Sequence, residues 1–168
     1  NLPLAQSIET LSLRACEDEN FNHDGLLTTA KALGQGSKTD SARGEKIAHW
    51  LAKDRNQRRD SLHDYKSAFL TAKNGVRGTL ATKKIAEHHP QILDILHEEA
   101  NRLEGLFQQL HLLKIAERSA HLLHIGLMLS RNFDVTKQRL GLADYDDLIA
   151  KTAALLTEQD MAAWVLYK

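Results

Sequence analysis

The chain is poor in the residues that would suggest anything other than helix. It has one cysteine, two prolines, two tryptophans, three tyrosines and four phenylalanines among 168 residues. A lone cysteine, Cys16, excludes an intramolecular disulfide framework and fits a reducing compartment. Scarce proline and the lack of long β-branched runs favour helix throughout. No apolar run approaches the ~20 residues of a membrane-spanning helix, so neither a membrane partner nor a secretory leader is expected. Hydrophobic residues make up 42% and charged residues 26%, as in ordinary soluble domains, and the length is enough to bury a core. The chain starts at Asn1 without an initiator methionine and stops at Lys168, directly after the apolar residues Trp164, Val165, Leu166 and Tyr167. Both ends are therefore expected to be cuts through a longer protein.

Net charge is also lacking, but its distribution is uneven. Residues 1–42 hold three positive and six negative charges, whereas residues 43–89 hold eleven and five. Residues 90–133 hold four and five, and residues 134–168 four and six. The basic block comprises Arg43, Lys46, Lys53, Arg55, Arg58, Arg59, Lys66, Lys73, Arg77, Lys83 and Lys84. Such a block suits a polyanion, because neutralising phosphates releases counterions. The competing reading is a solvated basic face with no ligand.

Helical spacing recurs along the chain. Leu4, Ile8, Leu11 and Ala15 form a first stripe, and residues 20–25 a polar break. Residues 26–33 read as a short helix that stops at Gly34, Gln35 and Gly36. Thr39 or Asp40 is expected to cap a helix carrying Ile47, Trp50 and Leu51. A further helix carries Leu62, Tyr65 and Phe69 on one face. Residues 71–82, with Gly75 and Gly78, read as a loop or a turn between short extended pieces. Pro90 suits the first position of a long helix, whose apolar stripe is Ile92, Leu96, Leu103, Phe107 and Leu110. Helical patterning resumes from Leu113 to Leu129, and residues 91–140 are compatible with one helix or two. Gly141 is a C-terminal stop. Asp144 then caps a last helix, with Asp146 and Asp147 at its positive end and Leu148 and Ile149 packed inward. The fold expected is all-α, an irregular multi-helix bundle with long helices in its C-terminal half.

Several chemistries can be tested against spacing. Residues 34–39 (GQGSKT) superficially resemble a phosphate-binding loop. Ser37, however, separates Gly36 from Lys38, and Lys31 stands where the leading glycine belongs. No apolar strand precedes them, so a capping turn is the better reading. His23-Asp24 and His63-Asp64 resemble the dipeptide of helical metal phosphohydrolases. Asp60 with His63, and Asp94 with His97, resemble the carboxylate–histidine pairs of di-iron bundles. Both pairs fall away from the apolar faces of their helices, whereas bundle ligands point inward. Glu117, His121 and His124 share a helix face, but without a cysteine or a second acidic face they read as surface polar residues. Cys16 reads as a packed free thiol.

The basic block offers Arg55, Arg58 and Arg59 within about one helical turn. It also offers Arg77 in a glycine-flanked loop, followed closely by Lys83 and Lys84. Arginine supplies a planar fork for phosphate oxygens and lysine a point charge. Trp50, Tyr65 and Phe69 sit on core faces, which argues against base stacking on single strands and favours a duplex backbone.

Two stretches carry a family resemblance. Asp144, Tyr145, Asp146, Asp147, Leu148 and Ile149, then Leu155 and Leu156, then residues 163–168 (AWVLYK), form one. Phe69, Leu70 and Thr71, then Gly75, Arg77, Leu80, Thr82 and Lys83, form the other. The chain resembles AddA-like helicase subunits of bacterial double-strand-break repair helicase-nucleases, in the UvrD/Rep-like superfamily 1. The resemblance is specific at these two places and thin over residues 1–60. It implies that residues 1–140 are the helical insertion called domain 1B, and that residues 141–168 return toward the ATPase core, ahead of its Walker B carboxylates. It further implies a cytoplasmic parent that uses ATP and Mg2+, partnered by the rest of its own chain and by a nuclease subunit. No cofactor, metal or catalytic residue is assigned to this segment itself. On this reading Arg77, Lys83 and Lys84 touch duplex phosphates, with Arg55, Arg58 and Arg59 as a second patch. Two alternatives stay open: a helical protein–protein interaction module with an exposed apolar face, and a helical metal-dependent phosphohydrolase.

Overall fold

A computed structural model describes residues 4–157. Its regular structure is helical: α1 (Leu4–Arg14), α2 (His23–Leu33), α3 (Lys38–Leu51), α4 (Arg55–Asp60), α5 (Leu62–Lys66), α6 (Lys83–His88), α7 (Gln91–Leu140) and α8 (Tyr145–Thr157), with a 3-10 turn at Asp18–Asn20. Extended pairing among the described residues is an isolated antiparallel bridge between Leu70 and Val76. The expected all-α class is what forms. Residues 163–168, which carry part of the family resemblance, lie outside the described residues.

The chain packs as two units, one up to Arg118 and one from Ser119 onward. Residue 140, after which the sequence reading places a division, is the last residue of α7.

The first unit owes its core to the stripes visible in the sequence. Ile92, Leu96, Ala100 and Leu103 of α7 are at most 1% exposed. They recur at helical spacing, so one face of the helix meets the rest of the unit. Trp50 and Tyr65 stack with ring centroids 3.9 Å apart and planes 11° apart, and Tyr65 meets Phe69 edge-on at 5.2 Å. Each large side chain buried in this way stabilises the fold by roughly 1.5–3 kcal/mol. Leu62 and Tyr65 lie on α5 as expected, but Phe69 falls in the turn after it. All three are buried. Gly44 is where α3 meets α2: a Cβ there would lie 2.7 Å from the Ala30 carbonyl oxygen. Only glycine permits that approach.

Helix α3 is capped two residues before the first of the two positions proposed for its cap and three before the second. Ser37, not Thr39 or Asp40, is the N-cap. Its hydroxyl accepts from the Asp40 backbone N–H at 3.3 Å, and its own N–H donates to the Asp40 carboxylate at 3.1 Å. Asp40 thus occupies the third position of a capping box.

Residues 91–140 form one continuous helix. Gly105 and Gly126 lie inside it; each costs up to about 1 kcal/mol relative to alanine, too little to break it. In the second unit, α7 ends where the sequence expects. Gly141 has φ of 66°, the Leu142 N–H donates to the Lys137 carbonyl at 2.9 Å, and the Gly141 N–H donates to that of Gln138 at 3.2 Å. These two bonds satisfy carbonyls that a helix end otherwise leaves unpaired. Asp144 caps α8 as expected, accepting from the Asp147 N–H at 2.9 Å while its own N–H donates to the Asp147 carboxylate at 3.1 Å. Lys137 reaches both carboxylates, at 3.0 and 2.8 Å. Hydrogen bonds within the cap, first from the Asp147 backbone N–H to Asp144 and from Lys137 to Asp147, hold both carboxyls below their ordinary range.

Leu148 and Ile149 correct the sequence reading. They are 53% and 67% exposed, because no described element of the second unit covers that side of α8. Their apolar neighbours on α8, Leu155 and Leu156, are exposed as well.

Candidate functional site

The candidate site is the segment that joins α5 to α6. Between Asp64 and Glu87 the sequence holds five cations, Lys66, Lys73, Arg77, Lys83 and Lys84, and no acid. Residues 69–77 make a tight hairpin. The Arg77 N–H donates to the Phe69 carbonyl at 3.0 Å and the Thr71 N–H to that of Gly75 at 2.8 Å. Asn74 turns the chain with φ of 64°, a conformation that asparagine tolerates better than most residues. Buried Phe69 and Leu70 anchor one end of the segment and buried Leu80 and Ala81 the other. Arg77, Gly78 and Thr79 between them are exposed.

Helix α3 pins this segment with two side chains. The Arg43 guanidinium donates to the carbonyls of Ala68 (2.9 Å), Thr79 (3.3 Å) and Leu80. Burial pulls Arg43 below its ordinary pKa, Asp40 opposes this, and Arg77 adds to it; arginine stays charged all the same. The Asp40 carboxylate, fully buried, accepts from the Thr82 N–H (3.1 Å), the Thr82 hydroxyl (2.6 Å) and the Ser37 hydroxyl (2.9 Å). Burial alone would raise this carboxyl, but the hydrogen bonds from Thr82 and Ser37 outweigh it and hold the pKa below the ordinary value. The result is a loop whose ends are fixed and whose basic middle faces solvent.

The six arginines and lysines singled out from sequence divide into two groups. Arg77, Lys83 and Lys84 are exposed. Among the described residues none of the three has an ion-pair partner, and Arg77 donates from Nε to the Ser67 carbonyl at 3.2 Å. Arg55, Arg58 and Arg59 are instead engaged by the acidic N-terminal part. Arg55 pairs with Glu17 at 2.7 Å, and Arg59 pairs with Glu9 and Asp60, each at 2.9 Å. Arg58 requires a correction: it is 6% exposed and cannot present its charge to a ligand. Its guanidinium donates to the Leu51 carbonyl (2.7 Å), the Cys16 carbonyl (3.3 Å) and Asp18 (2.5 Å). It lies 5.3 Å from the ring centroids of both Phe21 and Trp50. Cation–π attraction and carbonyl acceptors draw it inward. The acids at Glu17, Asp18 and Glu19 were the available signal for this arrangement.

A buried polar cluster went unread in the sequence. The Tyr65 hydroxyl donates to Glu99 at 2.8 Å, and Arg102 makes two bonds of 2.7 Å to the same carboxylate. Burial, and then the Glu99 charge, push the Tyr65 phenol well above its ordinary pKa. Glu99 lies three residues beyond Leu96 and four before Leu103, on the apolar stripe, and that spacing was its signal.

The remaining motifs have structural placements. Residues 34–37 form the turn between α2 and α3, Lys38 and Thr39 open α3, and the element before the turn is helix α2 rather than a strand. The Ser37 N–H, which a phosphate-binding loop would aim at its ligand, is taken by the Asp40 carboxylate. These residues therefore do not fit a nucleotide phosphate. Asp60, His63, Asp94 and His97 are exposed, as are His121 and His124. Among the described residues no group of three or more histidine, cysteine, aspartate or glutamate side chains converges as a metal site would require. Cys16 is buried, which raises its thiol pKa to about 11 and outweighs the opposing pull of Arg102. It is a packed thiol rather than a reactive one. No described helix is long and apolar enough to cross a membrane.

In the second unit, large apolar side chains face outward on several sides of α7, among them Leu122 (71%), Leu129 (65%) and Phe133 (59%). No family model, curated protein or solved structure matches the chain.

Proposed function

We propose that this chain is a DNA-binding accessory domain that holds duplex DNA through phosphate contacts, within an AddA-like ATP-dependent helicase of double-strand-break repair. The observation that carries the reading is a run of cations, Lys73, Arg77, Lys83 and Lys84, that have no ion-pair partner among the described residues, on a segment pinned at both ends by Asp40 and Arg43. Free cations on a fixed scaffold can neutralise phosphates without first breaking internal ion pairs. The aromatic side chains Trp50, Tyr65 and Phe69 are buried, which supports backbone contact over base stacking. The resemblance of residues 69–83 to that helicase family supports the same assignment. In this reading ATP, Mg2+ and the motor lie elsewhere in a bacterial, cytoplasmic parent, and a nuclease subunit completes the assembly. Arg77, Lys83 and Lys84 are the contacts, with Lys73 beside them. Arg55 and Arg59 are secondary because acids already neutralise them.

The test is binding of a fluorescent hairpin duplex with a single-stranded tail, titrated over salt. Affinity should fall linearly on a log–log salt plot. Arg77→Glu combined with Lys83→Glu should weaken it by about tenfold or more, since each phosphate contact contributes to affinity and to the salt slope. Far-UV circular dichroism should stay unchanged. Equal affinity in that double variant would remove the assignment.

A second reading rests on a different observation. The outward apolar side chains of α7 and α8 in the second unit suit a partner protein surface. No duplex binding at low salt by the folded protein would overturn the DNA reading and leave the interaction module in its place.

A further inference from the structure

We infer that the basin between α5 and the 69–77 hairpin is a seat for a single phosphate group, with Lys66 and Arg77 as its two cations. The inference rests on the duplex-holding reading for its occupant, a phosphodiester of the DNA backbone.

The basin is open and encloses about 980 Å³. Its charged and titratable lining is Lys46, Asp60, His63, Asp64, Lys66 and Arg77. Both acids are already matched: Asp64 accepts from Lys46 at 3.1 Å, and Asp60 pairs with Arg59 at 2.9 Å. Lys66 and Arg77 are the cations left over.

Lys66 is the unusual member. It is only 9% exposed, yet among the described residues no carboxylate lies within ion-pair distance of it. Its ammonium donates to the Asn74 side-chain oxygen at 2.7 Å and sits 4.3 Å from the centroid of the Phe107 ring. An ammonium has three donors, and one is used. Burying a charge without a counter-charge is costly, and an arriving anion relieves that cost. Burial, and then the neighbouring charge of Lys114, hold the Lys66 pKa below its ordinary value. Arg77 completes the seat. Its Nε is held by the Ser67 carbonyl, and its terminal nitrogens make no hydrogen bond among the described residues. A point charge and a free guanidinium fork on the wall of one basin offer donors that suit a tetrahedral oxyanion. The opening of the basin lets that oxyanion remain part of a polymer.

The experiment follows the Lys66 ammonium by proton–nitrogen NMR in the full 168-residue chain. The signal is assigned by its loss in Lys66→Met and in Lys66→Arg. Two probes are titrated: the hairpin duplex and inorganic phosphate. The Lys66 signal should shift with the duplex and saturate along the same curve as fluorescence binding. Phosphate alone should shift it at much higher concentration. Lys66→Met should weaken duplex binding about fivefold and lower the salt slope by about one, as expected for one lost phosphate contact. Lys66→Arg should keep the slope. If the duplex binds and the Lys66 signal stays still, the seat is wrong and the duplex reading survives. If the duplex does not bind but phosphate moves the signal, the seat stands and the duplex reading fails. Silence toward both probes overturns the seat. The wild-type titrations carry the test even if Lys66→Met fails to fold.

Discussion

Asp40 and Thr82 lie 42 residues apart in sequence and are joined by two hydrogen bonds, from the Thr82 N–H to Oδ1 at 3.1 Å and from the Thr82 hydroxyl to Oδ2 at 2.6 Å. The same carboxylate completes the capping box of α3, accepting from the N–H of its N-cap Ser37. One buried side chain therefore couples the start of α3 to the start of α6, where Lys83 and Lys84 stand. The orientation of the basic segment depends on that link as much as on the cations themselves.

Asp40→Asn should destabilise the first unit by about 2 kcal/mol, the scale of losing charge-assisted bonds to a buried acceptor. Because the folded-state pKa is lowered from 3.8, the contribution is complete above the unfolded value and is lost as pH falls from there through the folded value. Urea unfolding of wild type and Asp40→Asn should differ at neutral pH and converge in acid below about pH 4. A gap between them that is independent of pH would show that ionisation of Asp40 plays no part.

Arg58→Gln should cost about 2–3 kcal/mol of stability, because it removes the hydrogen bonds that a charged guanidinium donates inside the core and two cation–π contacts. Arg55→Gln should change stability by less than about 1 kcal/mol, since its pair with Glu17 is largely exposed. Thermal melts of the two variants compare them directly. Equal, small effects would mean that the guanidinium of Arg58 is not buried as described.

Gly141→Ala should destabilise the C-terminal end of α7 by about 1 kcal/mol, because alanine disfavours the left-handed backbone that closes the helix. Gly126→Ala should do the reverse, stabilising by up to about 1 kcal/mol. A Cβ at Gly126 meets nothing within 4 Å. Amide hydrogen exchange over residues 126–141 would read both effects. Protection unchanged by Gly141→Ala would mean that the cap contributes nothing.

Much of the fold was legible because helices advertise themselves locally. The stripe at Ile92, Leu96 and Leu103, the stop at Gly141 and the cap at Asp144 each depend on residues a few positions apart. Trp50, Tyr65 and Phe69 were readable as core for the same reason. The exposed cations Arg77, Lys83 and Lys84 were legible as candidates because glycine and polar neighbours mark a loop. Arg58 was not, since Arg55, Arg58 and Arg59 look alike as a triplet. Only the position of Phe21, Trp50 and the Leu51 carbonyl distinguishes the middle one. The burial of Lys66, one more cation of the basic block in sequence, was not legible for a similar reason. Lys66 sits one residue after a core tyrosine, and its burial follows from Asn74 and from Phe107 on α7.

The sequence by itself determined the helical class, the stop at Gly141, the cap at Asp144, the core stripe of α7, and that positive charge gathers in residues 43–89. Those features follow from backbone periodicity, capping and composition, which act over a turn or two of chain. The tertiary structure decided which of those charges are free. Pairing with Glu9, Glu17 and Asp18 neutralises the cations of α4, and Asp40 and Arg43 hold the 69–82 segment so that its cations face water. A charge is settled by whatever the fold brings within a few ångströms of it, and those partners lie tens of residues away.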